Sequence, residues 1–541
     1  MTDIYLDLDK QHIIISFKFD REVIAIIKNK LKGGYWDGTS KRWACSIDNY
    51  ALLLKLFPNA QQSEKLSSYF ERFKKSEEKI VVQPEKLLLP VRDYQLQGAD
   101  FLLNTGYLLG DKVGLGKSVQ AILAAMSHPK NQKILIVTLA SLKANWQREI
   151  KKWTGLDSCV ILGTKRQRTK LWQQPFQFFI CNYELVSIDF DLISNFDIVI
   201  FDEATALNNL MTKRSKSSRN LDTSTVWGLT ASSIDKEYIR YFNLLSFLNP
   251  IETGSRKEFL DKCCFIGRFG EVLAYREGEI EKFIKQTAHM TLQRTMADIQ
   301  DQLLPTNYIP RYLDMGDAQS KMYDRLVNAF VQWALETNRS AAPLTKYLRL
   351  RQFCDDPRLL DIDVPSIKSE YLYYELSKIN EKSIVFTGFS QMANLIESDL
   401  EEKGISTLKI TGDVKQKDRQ PIIDIFNNDD DHKVLIMTEA GAFGLNIGRA
   451  SWIIHYDCPW NPTVVEQREG RVGGLRQQGT VNIMNLIVSN SIDSYVFDNY
   501  NNLKTMSNIF DRVSLLNILF GGRNGSDTEY GEKLLENDVP E

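Results

Sequence analysis

The chain has 541 residues, of which 43% are hydrophobic and 25% are charged, so it has the composition of a soluble globular protein with about three or four domains. Its formal net charge of −2 excludes a polycation that coats nucleic acid, so any nucleic-acid contact must come from local basic faces. The seven cysteines contain no C-x-x-C pair and no apolar run reaches about 18 residues, which argues against a zinc site, a disulfide framework and a membrane span. At the N-terminus, residues 1–10 alternate acidic and apolar side chains, so we expect no signal peptide and a cytoplasmic location, in a bacterial or phage-infected cell.

Residues 1–58 have the pattern of a small α+β domain. Apolar residues alternate over Ile13–Phe19, as in a strand, and recur with helical spacing over Val23–Leu31. Basic and aromatic residues then interleave as far as Lys41-Arg42-Trp43. The tryptophans are either core residues of this domain or, together with the basic residues, a nucleic-acid surface. Spacing alone leaves both interpretations open.

From residue 87 onward, short apolar runs alternate with amphipathic helical segments, which is typical of a parallel sheet covered by helices. The pattern occurs twice and predicts two α/β lobes, at 87–250 and 366–500. The segment between them, 251–365, looks mostly helical; 59–86 is predicted to be a charged helical linker, and 501–541 a helix followed by an acidic, disordered tail. The predicted strands are Ile134–Val137, Phe178–Cys181, Ile198–Phe201 and Val226–Leu229 in the first lobe, and Ser383–Phe386, Thr407–Ile410, Val434–Met437, Trp452–His455 and Val481–Leu486 in the second.

A glycine-rich stretch in the first lobe, from Asp111 to Ser118, lies between an apolar segment and a helical pattern. Glycine at positions 114 and 116 lets the backbone approach a polyphosphate, while the following helix presents its positive N-terminus. Lys117 would reach the β- and γ-phosphates, and the Ser118 hydroxyl would hold Mg²⁺. The usual pattern has glycine where this chain has Asp111, so an ordinary turn before a helix is an alternative at this point.

A second motif favours ATP binding. The apolar strand Ile198–Phe201 delivers two carboxylates, Asp202 and Glu203, to its C-terminal end. Nucleotide hydrolysis needs one carboxylate to hold Mg²⁺ and another to orient water, so this pair and the glycine-rich loop explain each other. We therefore predict ATP and Mg²⁺ as cofactors, with Lys117, Asp202 and Glu203 as catalytic residues and Ser118 and Asp202 as metal ligands.

Further motifs follow in a fixed order along both lobes. They are Arg92-Asp93-Tyr94-Gln95, Ser141-Leu142 with Asn145-Trp146, Gly228-Leu229-Thr230-Ala231-Ser232, Thr438-Glu439-Ala440-Gly441, Gly444-Leu445-Asn446, Trp460-Asn461-Pro462 and the stretch from Gln467 to Gly474. Their order and spacing resemble those of superfamily 2 helicase motors, and specifically the Swi/Snf-like double-stranded DNA translocases. The resemblance implies two RecA-like lobes and a DNA-dependent ATP hydrolase.

The resemblance also implies site residues, with Gln95 reading the adenine edge through its paired donor and acceptor. It assigns ATP binding to Arg92, Gln95, Gly114, Gly116, Lys117, Ser118 and Gly444. It assigns DNA contact or coupling to Ser141, Lys143, Thr230, Thr438, Asn446 and Trp460.

The last motif departs from the family pattern. Gly474 occupies the position of the second arginine, the expected finger that neutralises charge on the γ-phosphate and is worth about 10³–10⁵ in rate. Either Arg471 or the nearby Arg476 supplies this charge, or hydrolysis is impaired. We expect a working motor, because every other catalytic position is present.

Residues 1–58 resemble the HARP (HepA-related protein) motif, in which a strand-helix unit is followed by a glycine turn, an aromatic-Asp pair such as Trp36-Asp37, and a Lys-x-Trp. This resemblance implies a module that recognises branched or forked DNA, with Lys41, Arg42 and Trp43 among its DNA contacts.

The main functional hypothesis is an ATP-driven translocase on duplex DNA that remodels branched DNA by strand annealing, fork regression or branch migration. A nucleotide-gated binding protein that acts on a nucleoprotein complex, such as RNA polymerase, is the alternative that Gly474 keeps open. An RNA helicase is less favoured, because Trp460-Asn461-Pro462 is a Swi/Snf hallmark. Two basic clusters, Lys165-Arg166-Gln167-Arg168 and Lys213-Arg214-Ser215-Lys216, are either part of the DNA track or solvated loops. The sequence indicates no particular protein partner.

Overall fold

The computed structural model describes residues 3–9, 12–31, 34–38, 41–71, 78–231, 238–254, 256–268, 271–302, 305–336, 343–439, 447, 449–459, 462–470 and 480–498. The chain divides into two compact units, Met1–Gln302 and Leu303–Glu541. None of the helices in these described ranges is long and apolar enough to cross a membrane.

The N-terminal part of unit 1 is a small α+β domain built on one sheet. Its described strands lie in the order Tyr35–Asp37, Arg42–Ser46, His12–Phe17, Ile4–Asp9 and Gln61–Gln62, and its helices are Arg21–Lys30, Tyr50–Leu56 and Glu64–Glu71. Alternate strand residues such as Leu6 and Ile13 are buried together with Val23 and Ile27 of the first helix. The Asp20 carboxylate caps that helix by accepting hydrogen bonds from the N–H groups of the next turn.

The small domain extends beyond the boundary predicted at residue 58. Gln61–Gln62 pairs in parallel with Ile4–Asp9, and the helix Glu64–Glu71 buries Leu66 and Phe70 in the core of the domain. The prediction of a solvated linker over 59–86 is therefore wrong for residues 61–71. The stretch has few apolar residues because only one side of the helix Glu64–Glu71 is buried, and this composition is typical of a linker.

The remainder of unit 1 is a parallel sheet between two layers of helices. In the described part of the chain its strands lie in the order Thr291–Leu292, Leu108–Leu109, Thr223–Leu229, Phe196–Asp202, Ile134–Thr138, Phe178–Asn182 and Ser158–Val160. The helices are Asp93–Asn104, Lys117–Ser127, Lys143–Thr154, Lys165–Trp172, Tyr183–Ile188, Lys213–Arg219, Tyr238–Leu248, Pro250–Thr253, Arg256–Cys263 and Glu277–Thr287. Successive residues of one central strand enter two different cores, Ile134 and Ile136 on one face and Leu135 and Val137 on the other. Burial on both faces explains the continuous apolar runs of these strands.

Unit 2 is a second parallel sheet with helices on both faces. Its described strands lie in the order Thr306–Leu313, Val481–Val488, Trp452–His455, Ser383–Phe386, Val434–Met437 and Thr407–Ile410. Its helices are Asp317–Glu336, Pro343–Asp355, Ile367–Leu376, Ser390–Glu402, Gln416–Asn428, Pro462–Glu469 and Ile492–Asp498. Ile384 and Val385 of the central strand enter different cores, as in unit 1. The predicted α/β class with two parallel-sheet lobes is confirmed.

The segment 251–365 is less purely helical than predicted. It contains a hairpin of Cys264–Ile266 with Val272–Tyr275, and it supplies an edge strand to each parallel sheet, Thr291–Leu292 in unit 1 and Thr306–Leu313 in unit 2. The longer edge strand is mostly exposed and contains Pro310, which lacks a backbone N–H. Such a strand has no apolar run, so periodicity does not reveal it.

Candidate nucleotide-binding site

The glycine-rich loop of unit 1 joins the strand Leu108–Leu109 to the helix Lys117–Ser127. Gly114 and Gly116 have φ angles of 89° and 72°, in the left-handed region that favours glycine. These angles turn the backbone into the first turn of the helix, whose N–H groups have no partners within the helix. A loop of this geometry can surround a polyphosphate with backbone N–H groups.

The side chain of Lys117 folds back over this loop. Its Nζ atom donates to the carbonyl oxygen of Asp111 at 2.7 Å and to that of Lys112 at 3.4 Å. The Lys117 amine thus lies within the glycine-rich loop, where it is predicted to bind phosphate. Ser118 follows in the first turn of the helix and is partly exposed.

Asp111, the residue that departs from the usual loop pattern, is fully buried. Its two carboxylate oxygens bind the Arg294 guanidinium, with Nε–Oδ1 at 3.0 Å and Nη2–Oδ2 at 2.6 Å, and Oδ2 also accepts from Gln120 Nε2 at 3.0 Å. A Cβ atom added to Gly98 would lie 1.6 Å from Gln120 Oε1, so glycine lets the helix Asp93–Asn104 pack against this group. Aspartate therefore has a structural role at the position where the common pattern has glycine.

Asp202 ends the strand Phe196–Asp202 and is held in a fixed orientation. Its Oδ2 atom accepts from the Thr138 hydroxyl at 2.8 Å and from Trp146 Nε1 at 2.7 Å, and its carbonyl oxygen accepts from the Tyr183 hydroxyl at 2.7 Å. Both side-chain bonds among the described residues go to Oδ2, so Oδ1 can ligate a cation. A carboxylate and a hydroxyl are the hard oxygen ligands that Mg²⁺ prefers, and the role of Asp202 and Ser118 as its ligands stays a prediction.

Glu203 has a left-handed backbone, with φ of 50° and ψ of 51°. This conformation is uncommon for a residue other than glycine, and it turns the chain out of the strand into the short helix Ala204–Leu207. Residues in such conformations concentrate at functional sites.

The predicted adenine-reading residue, Gln95, is buried at the start of the helix Asp93–Asn104. Its Oε1 atom accepts a hydrogen bond from the backbone N–H of Arg92 at 3.0 Å, so the amide oxygen caps the helix. The role of Arg92 and Gln95 in nucleotide binding stays a prediction.

The DNA-coupling candidates of unit 1 follow strands of the parallel sheet. Thr230 is buried, and its N–H donates to the carbonyl oxygen of Leu109 at 3.0 Å, next to the glycine-rich loop. Ser141 lies in a short partly exposed turn, while Lys143 Nζ donates to Ile161 O at 3.1 Å and Asn182 Oδ1 at 3.2 Å. Burial lowers the pKa of Lys143. Thus the Lys143 amine has internal partners, and its DNA contact stays a prediction.

Several candidates of unit 2 lie outside the described residues. These are Gly444, Asn446, Trp460, Arg471 and Arg476, together with Gly474. Thr438 is described and buried at the end of the strand Val434–Met437.

Unit 2 contains a buried charge network of Arg468, Asp457 and Glu439 that the sequence motifs did not predict. The Arg468 guanidinium lies 3.0 Å from Asp457 Oδ1 and also pairs with Glu439, so it joins segments of two different motifs. Burial would raise the pKa of Asp457, but the positive charge of Arg468, with smaller effects of Arg351 and of the Gly388 N–H, brings that pKa down to about 2. Because the partners of Arg468 are 11 and 29 residues away in sequence, no local pattern indicates this network.

His455 makes unit 2 sensitive to mild acid. Its ring is fully buried against Phe386, and burial lowers its pKa below the usual 6.5, although Glu469 nearby opposes the shift. The unfolded chain therefore binds a proton at His455 below about pH 6.5 that the folded chain excludes. The contribution of His455 to stability accordingly decreases as the pH is lowered, by up to about 1.4 kcal/mol per pH unit. Urea unfolding of the full chain between pH 7.5 and 5.5 measures this slope. His455→Gln should flatten it, and equal slopes would contradict the assignment.

Lys41-Arg42-Trp43 lies at the turn and strand next to the edge of the small-domain sheet. Lys41 and Arg42 are exposed, whereas Trp43 is half-buried, with its ring centroid 5.7 Å from that of Trp36. Because strand residues alternate between faces, Arg42 and Trp43 belong to opposite faces of the sheet.

One residue of the predicted basic clusters has an internal role. Arg168 binds Asp189 through Nε–Oδ2 at 2.6 Å and Nη2–Oδ1 at 2.8 Å, and both side chains are buried. It therefore cannot contribute to a DNA track, while Lys165, Arg166 and Lys213 remain exposed or partly exposed candidates.

Comparison with known families matches both units. The family model described as the SNF2-related domain matches residues 41–359, and that of the helicase conserved C-terminal domain matches residues 367–475.

Curated relatives include eukaryotic and bacterial proteins. The CHD3-type chromatin-remodeling factor CHR7 of Arabidopsis thaliana is 25% identical, over 86% of this chain and 41% of that protein. The ISWI chromatin-remodeling complex ATPase ISW1 of Saccharomyces cerevisiae is 25% identical, over 75% of this chain and 39% of that protein. An uncharacterized ATP-dependent helicase, YqhH of Bacillus subtilis, is 26% identical over 73% of this chain and 74% of that protein. The chain thus spans about two fifths of the chromatin-remodeling relatives.

Among solved structures, the Sulfolobus solfataricus SWI2/SNF2 ATPase core in complex with dsDNA is 24% identical. The alignment covers 85% of this chain and 100% of that chain, with a TM-score of 0.40.

Proposed function

Since the chain belongs to the SNF2-related family of helicase-like ATPases, we propose that it is an ATP-driven motor that tracks along duplex DNA and remodels branched DNA. The observation that carries the proposal is the arrangement at one edge of the unit 1 sheet. The glycine-rich loop Asp111–Ser118, named here the phosphate loop, follows the strand Leu108–Leu109. Asp202 ends another strand of the same parallel sheet, so both lie at the carboxyl edge. Trp146, from the motif assigned to DNA coupling, is bonded directly to Asp202.

In the proposed mechanism, the nucleotide phosphates take the Lys117 amine from the loop carbonyls that it now contacts. Ser118 and Asp202 would hold Mg²⁺, which supplies neutralising charge to the phosphates. Glu203 orients the attacking water. Arg471 and Arg476 are the proposed source of the positive charge that stabilises the γ-phosphate during transfer.

DNA engagement is proposed to pass through phosphate contacts on both units. Ser141, Lys143 and Thr230 serve unit 1, and Thr438, Asn446 and Trp460 serve unit 2. Phosphate contacts carry no base information, so binding should tolerate any sequence and weaken as salt rises. The Trp146–Asp202 hydrogen bond offers a short route from the DNA-coupling helix to the hydrolysis site.

Preference for branched DNA is proposed to come from the small domain, consistent with its HARP-like pattern. Trp36 is 52% exposed on the edge strand, next to Trp43, and Lys28 Nζ lies 5.8 Å from the Trp43 ring centroid. We name Lys28, Trp36 and Trp43 the aromatic edge. An exposed aromatic ring with a neighbouring cation suits an unpaired base and its phosphate, which a fork presents and a linear duplex does not.

Trp36→Ala is expected to weaken binding to a model fork by about 5–150-fold, since stacking on one base is worth about 1–3 kcal/mol. Binding to linear duplex should change much less, and ATP hydrolysis without DNA should not change. Fluorescence anisotropy with the two DNAs measures the difference.

Tyr5→Ala is the matched control, because Tyr5 is 42% exposed in the same sheet. It pairs with Ser16, one residue beyond Ile15, and Ile15 pairs with Trp43, so Tyr5 belongs to the face opposite the aromatic edge. Equal losses on fork and linear DNA, or equal effects of both variants, would leave the aromatic edge a purely structural feature.

The decisive test of the proposed function compares ATP hydrolysis without nucleic acid, with single strands, with linear duplex and with a model fork. We expect stimulation by duplex and stronger stimulation by the fork. RNA stimulation that exceeds DNA stimulation would favour an RNA helicase instead.

The second candidate is a nucleotide-gated binding protein that acts on a nucleoprotein complex. Gly474, in place of the expected arginine finger, favours it. Tight binding of ATP and DNA without turnover would support this candidate, and a large gain of hydrolysis in Gly474→Arg would show that the glycine limits the chemistry.

A further inference from the structure

The Asp111 carboxylate accepts four hydrogen bonds from other described residues. It accepts from Gln120 Nε2 and from three groups of Arg294: the backbone N–H at 3.1 Å, Nε at 3.0 Å and Nη2 at 2.6 Å. Arg294 returns a further bond, because its carbonyl oxygen accepts from the N–H of Lys112 at 3.0 Å. The loop and the segment around residue 294 are therefore joined through both backbone and side chains.

Arg294 begins the segment that leads out of unit 1. It follows the edge strand Thr291–Leu292 and precedes the turn Ala297–Gln302, after which the chain enters unit 2. The same segment also contacts Tyr94, through Arg294 Nη1 to the Tyr94 carbonyl at 2.5 Å and through the Tyr94 N–H to Gln302 Oε1 at 3.4 Å. We name residues 294–302 the exit segment.

Residue 111 is shared between Lys117 and the exit segment. Its carbonyl oxygen accepts from Lys117 Nζ, while its carboxylate holds Arg294. When phosphates take the Lys117 amine, the carbonyl loses that donor, whereas the buried ion pair stays closed because opening it would strand two charges. Any displacement of the loop at residue 111 is then passed to Arg294.

We propose that Asp111 and Arg294 are positioning residues that couple nucleotide occupancy of the phosphate loop to the exit segment. The inference rests on the proposed function, since it requires that the loop bind nucleotide. It gives Asp111 a role in the motor cycle beyond filling space in the loop.

A second buried ion pair in unit 1, Arg168–Asp189, provides a control that distinguishes the proposed coupling from structural support alone. Arg168 and Asp189 have the same side-chain exposures as Arg294 and Asp111, 10% and 0%, and the same doubly hydrogen-bonded geometry. Asp189, however, lies after the helix Tyr183–Ile188, and in the described part of the chain its carboxylate is bound by Arg168 and Trp172, which lie outside the phosphate loop and the exit segment. Asp189→Asn is therefore a control for the general cost of neutralising a buried carboxylate.

The first experiment uses the unaltered full chain. Hydrogen–deuterium exchange of peptides covering 294–302 is measured with and without AMP-PNP and Mg²⁺ at saturation. A coupling free energy of 1–3 kcal/mol corresponds to a change in exchange rate of about fivefold or more. If AMP-PNP binds and the exit segment does not respond, the coupling is overturned; if AMP-PNP does not bind, the proposed function fails instead.

The second experiment compares Asp111→Asn with Asp189→Asn. At saturating AMP-PNP, Asp111→Asn should bind nucleotide yet lose the response of the exit segment, and its DNA-stimulated hydrolysis should fall by about fivefold or more. Asp189→Asn should keep both. Equal effects of the two variants would reduce Asp111 to a structural ion pair.

If Asp111→Asn does not fold, Arg294→Lys is tested in its place. Lysine keeps the positive charge but cannot bind both carboxylate oxygens in the planar geometry of the guanidinium. Arg294→Lys should weaken the response of the exit segment while nucleotide still binds. A full response in Arg294→Lys would overturn the proposal.

Discussion

Replacing Lys117 with alanine is expected to lower the kcat for ATP hydrolysis by about 10²–10³, the cost of removing one positioned donor from a developing negative charge. The physical reason is that the Lys117 amine, which lies over the Asp111 and Lys112 carbonyls of the loop, is placed to pair with the nucleotide phosphates. The folded chain loses these two hydrogen bonds, each worth about 1 kcal/mol, so the free energy of unfolding should fall by about 2 kcal/mol and the chain should stay folded. Steady-state hydrolysis and thermal unfolding of the same preparations separate the two effects.

Lys130→Ala is the matched control for this variant. Lys130 lies exposed just beyond the other end of the helix Lys117–Ser127, so its removal changes the net charge equally without touching the loop. Hydrolysis by Lys130→Ala should equal that of the unaltered chain. A loss of less than about tenfold in Lys117→Ala would remove this lysine from the catalytic set.

The glycine-rich loop and the strand that ends at Asp202 were predictable as structural elements because their patterns are local, while their roles in catalysis stay predictions. Gly114 and Gly116 need left-handed backbone angles, and an apolar strand that ends in Asp202 needs no distant partner to be recognised. The role of Asp111 could not be predicted in the same way, since its partner Arg294 is 183 residues away. Only the folded chain shows why aspartate replaces glycine there.

The boundaries were harder to predict because marginal elements take their stability from their neighbours. The helix Glu64–Glu71 has a polar sequence, yet Phe70 stacks on Tyr50 and completes the small domain. The edge strand Thr306–Leu313 pairs along its whole length with Val481–Val488, although its own residues are mostly exposed. In both cases tertiary pairing outweighs intrinsic propensity.

Arg468→Met is expected to destabilise unit 2 by about 3–5 kcal/mol, the cost of leaving a buried charge without its partner. Asp457 is fully buried, and its Oδ2 atom is already bound by the Gly388 N–H and, at 3.2 Å, by the Thr387 hydroxyl. Those neutral donors cannot replace the positive charge of Arg468, which favours the ionised carboxylate more than any other neighbouring group does. Because Arg468 also pairs with Glu439, its loss should loosen the segment that follows Thr438, and DNA-stimulated hydrolysis should fall as well.

The size of this loss can be separated from the general effect of removing an arginine. Arg449→Met removes a guanidinium from an exposed pair with Asp430 at 3.4 Å, in which the side chains are 53% and 83% exposed, and should change stability by less than about 1 kcal/mol.

Adding Asp457→Asn to Arg468→Met should recover part of the stability, because a neutral amide needs no counter-charge and its oxygen can still accept from the Gly388 N–H. Urea unfolding of the full chain, with hydrogen exchange in the strand Trp452–His455 to locate the change, measures all three variants. If Arg468→Met is no less stable than Arg449→Met, the buried charge network does not hold unit 2 together; if the double variant is recovered, the buried charge of Asp457 is the cause.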